Sequence, residues 1–155
     1  MTEIRKYISG EEEALWAIYF GAVRNVCIRD YTDEQVKAWA PDEVDMDSWR
    51  EKIRQLNPYV AVLEGEIVGY ADLQHDGCID HFFIDCQYQR RGVGNDLMVE
   101  IIANAQSKGI SKLYSHVSKT AKDFYLAQGF KVFRDNTVTV RGVDFTNFIM
   151  ERKVS

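Results

Sequence analysis

A chain of 155 residues, 46% hydrophobic and 28% charged, is long enough to bury a core and too ordinary in composition for a disordered or fibrous protein. Its formal charge of −5 and pI near 5.2 oppose long-range attraction to nucleic acid or an anionic membrane and suit a cationic acceptor. The three cysteines, Cys27, Cys78 and Cys86, show no C-x-x-C spacing, which argues against a disulfide framework or a zinc site, and no metal is expected.

In chain order, a strand is predicted near residues 4–7. Ser9 and the acids Glu11, Glu12 and Glu13 make a favourable first turn for a helix to about residue 26, whose buried stripe includes Leu15, Ile18 and Val23. Thr32 caps a short helix through Trp39, with Gln35 at the capping-box position, and Asp47 caps another over 48–56. Two β-rich runs, 59–63 and 67–73, are joined by Glu64-Gly65-Glu66, a tight-hairpin signal, and a third run covers 78–85. From Val93 the apolar residues Leu97, Met98, Ile101, Ile102 and Ala105 fall at helical spacing, and Gly109 supplies the stop. A strand follows at 112–117, a helix at 121–128 ended by Gly129, and a closing hairpin of 131–140 and 143–152 around Arg141-Gly142. The strand–helix–strand unit from 78 to 117 requires a right-handed crossover and hence a parallel pair.

The expected class is therefore α/β (α+β): a mixed, mostly antiparallel sheet with one parallel strand pair, flanked by helices. Only Pro41 and Pro58 occur, and no linker, low-complexity tract or repeat divides the chain, so residues 1–155 read as a single domain. The N-terminus carries acids where a signal peptide needs an apolar run, and no stretch approaches the roughly 20 apolar residues of a membrane span. A cytoplasmic protein is expected.

Residues 82–94 run from an apolar strand, through a polar loop with two glycines, straight into the strongest helix. The first N–H groups of a helix lack internal partners and sit at the positive end of its dipole, so a phosphate or pyrophosphate is their natural ligand. Gly92 and Gly94 let the backbone approach closely, and Arg90 and Arg91 add positive charge. The same pattern also serves merely to pack a helix on a sheet. A P-loop needs Gly-Lys-Ser/Thr, and a dinucleotide turn needs a small residue where Leu97 stands, so neither is supported.

Gln89-x-x-Gly92-x-Gly94 resembles the Q/R-x-x-G-x-G/A signature of the GNAT superfamily of acetyltransferases, including the strand before it and the helix after it. Ala121-x-x-Phe124-Tyr125-x-x-x-Gly129-Phe130 is similar to the family's second cofactor segment. The similarity spans about residues 61–153, and the strings Ile28-Arg29-Asp30-Tyr31, Ala38-Trp39-Ala40-Pro41 and Phe145-Thr146-Asn147-Phe148 resemble the YafP-like acetyltransferases. In one departure, Ser118 stands where many members carry an Asn that contacts the pantetheine arm; its hydroxyl would replace part of that contact.

The resemblance implies acetyl-CoA as cosubstrate, held by Phe83, Ile84, Cys86, Gln89, Arg90, Arg91, Gly92, Val93, Gly94, Asn95, Ser118 and Phe124. In the GNAT pattern the strand carrying residues 82–85 splays from strand 112–117, and pantetheine pairs in the gap with backbone groups near Phe83, Ile84 and Cys86. The N–H at about Ile84 is then the implied donor to the thioester carbonyl. Tyr125 takes the position that protonates the departing thiolate, with packing beside Phe124 and Phe130 as its alternative role. For the base, Asp80 is the first choice: alternation puts it on the face of Cys78, which itself stands where one branch has a catalytic Glu. His81 is chemically the better base, but alternation turns it to the opposite face; His75 in the preceding loop and water complete the alternatives. His116 reads as a structural residue.

In this fold the N-terminal helices roof the acceptor site, which makes Tyr31, Trp39 and the acids Asp42, Glu43, Asp45 and Asp47 candidate contacts, together with His81. The acids read equally as a solvated loop and helix cap. The implied function is transfer of an acetyl group to a primary amine of a small molecule, by direct attack in a ternary complex. A noncatalytic acyl-CoA-binding sensor or interaction module is the alternative, and a transferase acting on charged tRNA is disfavoured by the acidic total. No nucleic acid or membrane partner is expected; acceptor identity, acyl-chain preference and a homodimeric state stay open.

Overall fold

The hairpin signal at 64–66 and the β-branched runs beside it fold as they predict. The computed structural model describes residues 2–155. In it β2 (Tyr59–Leu63) and β3 (Glu66–Ala71) pair antiparallel, flanked by β1 (Glu3–Lys6) and β4 (Phe82–Ile84), in the order β1-β2-β3-β4. A second antiparallel sheet holds β5 (Lys112–Val117), β6 (Lys131–Val140) and β7 (Val143–Lys153), with β7 central. A bulge at Ala61/Val62 turns Val68 and Tyr70 to opposite faces, although they stand two residues apart.

Helices cover both faces. On one lies α4 (Val93–Ser107), whose Val93, Leu97, Met98, Ile101 and Ala105 stripe is buried against Ala61, Val68, Leu113 and Met150, with α5 (Lys122–Ala127) adding Tyr125. On the other, α1 (Glu12–Asn25) and α3 (Met46–Leu56) bury Leu15, Ile18, Trp49 and Ile53 against Val60 and Tyr70. A 3-10 turn (Cys27–Arg29) and α2 (Asp33–Trp39) pack Cys27, Tyr31 and Val36 on Phe145 of β7. The Thr32 capping box forms as expected: Gln35 N–H donates to Thr32 Oγ1 at 3.1 Å and Thr32 N–H to Gln35 Oε1 at 2.9 Å. The cap of α3 is Asp45 rather than Asp47, because Asp45 accepts from both the Asp47 N–H at 3.2 Å and the Ser48 hydroxyl at 2.7 Å, starting the helix at Met46.

The α+β class with antiparallel sheets agrees with the sequence, whereas the expected parallel strand pair does not form. The run predicted as one strand over 78–85 is a strand only at Phe82–Ile84. Its parallel link to β5 is a single bridge, Cys78 opposite Tyr114, in which Ile79 N–H donates to Tyr114 O at 2.9 Å and Tyr114 N–H to Gly77 O at 3.0 Å. Beyond Ile79 the chain is claimed by β3: Asp72 N–H donates to His81 O at 3.2 Å, and His81 N–H to Asp72 Oδ1 at 2.6 Å. β4 and β5 therefore diverge from a common root.

Gly77 sets that root. It holds φ at +93°, and a Cβ there would lie 2.1 Å from the carbonyl oxygen of Lys112. Gly77→Ala is expected to destabilise the fold by about 3 kcal/mol or more, from left-handed strain plus a backbone clash, measured as a lowered urea midpoint with unchanged slope.

Candidate active site

The divergence of β4 from β5 decides which backbone groups are free. In an antiparallel ladder directly paired residues alternate between exchanging hydrogen bonds and exchanging none. Asp85 N–H donates to Val68 O at 2.8 Å and Asp72 N–H to His81 O, so the Tyr70–Phe83 pair between them is also hydrogen-bonded. Phe82 and Ile84 consequently turn their N–H and C=O groups away from β3, toward the widening gap. This corrects the sequence expectation: Phe83 spends its backbone on β3, and Phe82, which was not singled out, faces the gap beside Ile84. Gln89 Nε2 donates to Ile84 O at 3.0 Å, which ties the glycine turn to the strand and leaves the Ile84 N–H as the free group.

The gap opens into a groove of about 390 Å³ lined by Phe82, Ile84, Gln89, Arg90, Gly92, Val93, Gly94, Asn95, Ser118, Phe124 and Tyr125, with Phe83 at one side and Val26 and Cys27 as a roof. Gly92, at φ +81°, offers no side-chain cap to α4, so the Val93, Gly94 and Asn95 N–H groups at the helix start point into the groove mouth without partners inside the helix. Arg90 holds a left-handed φ of +63° there, a conformation that costs a non-glycine residue about 1–2 kcal/mol. A Cβ on Gly94 would lie 3.0 Å from Phe124 Cε1, so the second motif packs on the first through this missing side chain. Ser118 lines the groove while its hydroxyl accepts from the Ala121 N–H at 3.1 Å, which starts α5.

Two expected members stand elsewhere. Arg91 turns away and stacks its guanidinium 5.2 Å from the Tyr88 ring centroid, beside Leu63 and Asp96. Cys86 packs against α1, with Asn25 Nδ2 at 3.6 Å from its sulfur. Both belong to the shell that holds the turn in place. The groove accommodates an extended amide-bearing chain paired with Phe82 and Ile84 and an anion at the start of α4, the two ends of an acyl-CoA arm.

A second hollow, of about 270 Å³, shares Phe83 and Ser118 with the groove. Tyr19, Tyr31, Trp39, Asp80, His81, His116, Phe145 and Asn147 line it. Asp80 and His81 both reach it, although strand alternation would part them, because residues 78–81 are not in a strand. Asp80 is bonded to Lys52 Nζ at 2.9 Å; burial pushes its carboxyl up, but the hydrogen bond and the positive charges around it, Lys52 foremost, together hold it below the ordinary range. His81 stacks on Tyr19 with 5.5 Å between ring centroids, and burial pushes its imidazole down to about 4. Its Nδ1 lies 2.9 Å from Tyr70 Oη. Burial raises the Tyr70 phenol well above its usual value, so the phenol stays protonated and donates to Nδ1, leaving neutral His81 with its proton on Nε2. His75 is exposed in the 74–77 turn and does not line the hollow.

Sequence reasoning missed His116, Tyr19 and Phe145 as lining residues, and it missed Asp72. Alternation along β5 buries Leu113, Ser115 and Val117 and turns His116 outward, a signal that was available. The acids at 42, 43, 45 and 47 do not line the hollow: Asp42 pairs with Arg24, Asp45 caps α3 and Asp47 pairs with Arg50. Tyr125 is buried at the groove floor, and burial pushes its phenol well up, only partly opposed by Ser115. Among the described residues no group of three or more His, Cys, Asp or Glu is placed to hold a metal ion, and no helix is long and apolar enough to cross a membrane.

Comparison with known proteins gives consistent results. A family model described as an acetyltransferase (GNAT) domain matches residues 27–152. The uncharacterized N-acetyltransferase YafP of Escherichia coli (strain K12) is 35% identical over 152 residues, covering 97% of this chain and 95% of that protein. A crystal structure of a GCN5-related N-acetyltransferase from Rhodopseudomonas palustris matches with a TM-score of 0.94 at 25% identity, over 99% of this chain and 96% of that one. The PaiA N-acetyltransferase of Thermoplasma acidophilum, solved in complex with coenzyme A, has the same fold, with a TM-score of 0.79 at 20% identity over 99% of both chains.

Asp72 gives the site a pH signature. It is fully buried, and burial raises its carboxyl to about 6 against the hydrogen bonds from His81 N–H and Gln74. The folded state thus binds this proton more tightly than the unfolded chain, where Asp ionises near 3.9. The resulting stability is complete below about pH 4 and is lost as pH rises through about 6. Asp72→Asn, which cannot ionise, is expected to be more stable than the parent by about 1–3 kcal/mol at pH 7.5, with the difference vanishing near pH 4, in paired denaturant melts across that range. A difference independent of pH would contradict this.

Proposed function

Because the chain belongs to the GNAT family of acetyltransferases and is an acetyl-CoA-dependent N-acetyltransferase, we propose that it transfers acetyl to a primary amine of a small molecule, by direct attack in a ternary complex formed within residues 1–155. The observation that carries this reading is that the two cavities share Phe83 and Ser118 in their walls, which sets an aromatic hollow for an acceptor beside the groove proposed for the thioester. Acetyl-CoA is the donor, and no bound metal is required. Direct transfer between neighbouring sites converts a bimolecular encounter into an oriented one.

The pyrophosphate rests on the N–H groups of Val93, Gly94 and Asn95, with Arg90 adding charge at the mouth. The pantetheine amides pair with the outward backbone groups of Phe82, which leaves the Ile84 N–H for the thioester. As the amine lone pair bonds to the thioester carbon, negative charge builds on the carbonyl oxygen and the free Ile84 N–H donates to it. The C–S bond then breaks, its electron pair goes to sulfur, and Tyr125 supplies a proton to the thiolate. Burial suits Tyr125 to this task, since its raised pKa keeps it a phenol until the stronger base appears.

Asp80 accepts the proton lost by the amine, directly or through water. His81 is a poorer candidate for base than its chemistry suggests, because its free nitrogen Nε2 already carries a proton; its place is to donate a hydrogen bond in the hollow. Tyr31 and Trp39 contribute ring surface to the acceptor wall. Tyr31 Oη is spent on the fold, donating to Thr146 O at 2.9 Å and accepting from Lys119 N–H at 3.0 Å.

Saturating acetyl-CoA is expected to raise the melting temperature of the parent and of Tyr125→Phe equally, while Tyr125→Phe lowers kcat about 100-fold in a thiol-release assay. A noncatalytic acyl-CoA sensor would keep the thermal shift and show the same residual thiol release in both proteins.

A further inference from the structure

Acetyl transfer to an ammonium ion moves more protons than one base can take. A primary amine is protonated at neutral pH, so its nitrogen arrives with three protons and leaves as an amide with one. Two protons must therefore be removed on the acceptor side, one before the lone pair can attack and one as the N–C bond forms. In the overall balance one of them replaces the proton that Tyr125 gives to sulfur, and the other goes to solvent. Asp80 takes one of the two. Among the other titratable groups lining the hollow, Tyr19 and Tyr31 are kept as phenols by burial, and their hydroxyls donate to Trp39 O and Thr146 O. His81 has Nδ1 on Tyr70 and its proton on Nε2. The group that remains is His116.

We propose that His116 is a further catalytic residue, the base that takes the first proton from the acceptor's ammonium group, while Asp80 takes the second as the bond to carbon forms. The inference rests on the acetyl-transfer reading above and completes its acceptor side. Alternation along β5 turns the His116 side chain outward between the buried Ser115 and Val117. The bridge of Cys78 and Tyr114 fixes a parallel register in which Asp80 would next oppose His116. The strands part at that level, although Ser115 Oγ still donates to Ile79 O at 2.7 Å, so Asp80 and His116 enter the hollow from adjoining chains. Neither imidazole nitrogen of His116 has a hydrogen-bond partner among the described residues, so a neutral ring there offers one free lone pair. Ser118, which lines both cavities, stands two residues further along. The charged and titratable groups around His116 are Asp80 with Lys52 of α3 behind it, His81, and the phenols of Tyr19 and Tyr31; β7 sets Ile149 opposite and adds the neutral Asn147 and Phe145. An imidazolium formed there is stabilised by the ionised Asp80, and because His116 is exposed it passes its proton on to water.

The test is thiol release from acetyl-CoA by the full chain with 2-phenylethylamine, spermidine and Nα-acetyllysine amide, all ammonium ions at neutral pH, in the parent, His116→Gln and His116→Ala. With whichever of the three amines the parent turns over fastest, His116→Gln is expected to lower kcat/KM about 100-fold at pH 7. The deficit should shrink to within about threefold by pH 9.5, because more of the amine then arrives already deprotonated and the first proton no longer needs a base. Added imidazole should restore His116→Ala at least about tenfold at pH 7. Both variants should keep the acetyl-CoA thermal shift of the parent, since His116 lies outside the donor groove. No loss at pH 7, or a loss of the same size at both pH values that imidazole does not relieve, overturns the role of His116 while leaving acetyl transfer standing. Absence of thiol release by the parent with all three amines overturns the transfer reading and this inference with it.

Discussion

Two strands that start side by side and then part are the constraint on which the site depends. The single parallel bridge between Cys78 and Tyr114 holds β4 and β5 together at one end, and each strand then follows a different partner, β3 in one case and β7 in the other. A backbone group left unpaired in a protein interior carries a cost of about 1–3 kcal/mol, and here that cost is concentrated on Phe82 and Ile84 at the edge of a groove. The groups that a continuous sheet would have consumed become the surface proposed to bind the donor. The glycine turn at 89–94 and the start of α4 extend this surface with N–H groups of a second kind, unpaired because a helix must begin somewhere.

On either side of this gap the protein arranges protonation states by burial. Tyr125 is kept a phenol and His81 a neutral imidazole by the same desolvation, while Lys52 keeps Asp80 ionised against it. Asp72 lies beneath, holding the His81 backbone and tolerating its own burial by taking up a proton, and so giving up its charge, at a higher pH than a surface acid does. A proton donor therefore faces the groove and a carboxylate faces the hollow, with Phe83 and Ser118 between them. That order suits a reaction in which the amine loses a proton on one side and the leaving sulfur gains one on the other.

The donor half of the site was legible in the sequence because its chemistry resides in glycines, a helix start and a Gly94–Phe124 contact, all of which leave marks in residue identity and spacing. The acceptor half was less legible. Its reading depended on alternation through 78–85, and the early loss of strand structure there brings Asp80 and His81 into one cavity. Asp72 is held by the His81 N–H just past the end of the β3–β4 ladder, a contact between residues nine apart that no local pattern records. The choice of Phe82 over Phe83 as the outward backbone needs the register of the β3–β4 ladder, and Arg91 and Cys86 needed the packing of Tyr88 and α1.

The most direct measurement is amide hydrogen exchange at Phe82, Phe83 and Ile84, with and without saturating acetyl-CoA. Phe83, bonded to Tyr70, should be protected in both states, while Phe82 and Ile84 should exchange freely in the apo protein and become protected on binding. Ile84 exchange that does not change in the acetyl-CoA complex would contradict the assignment of the parted strands as the place where the donor is held.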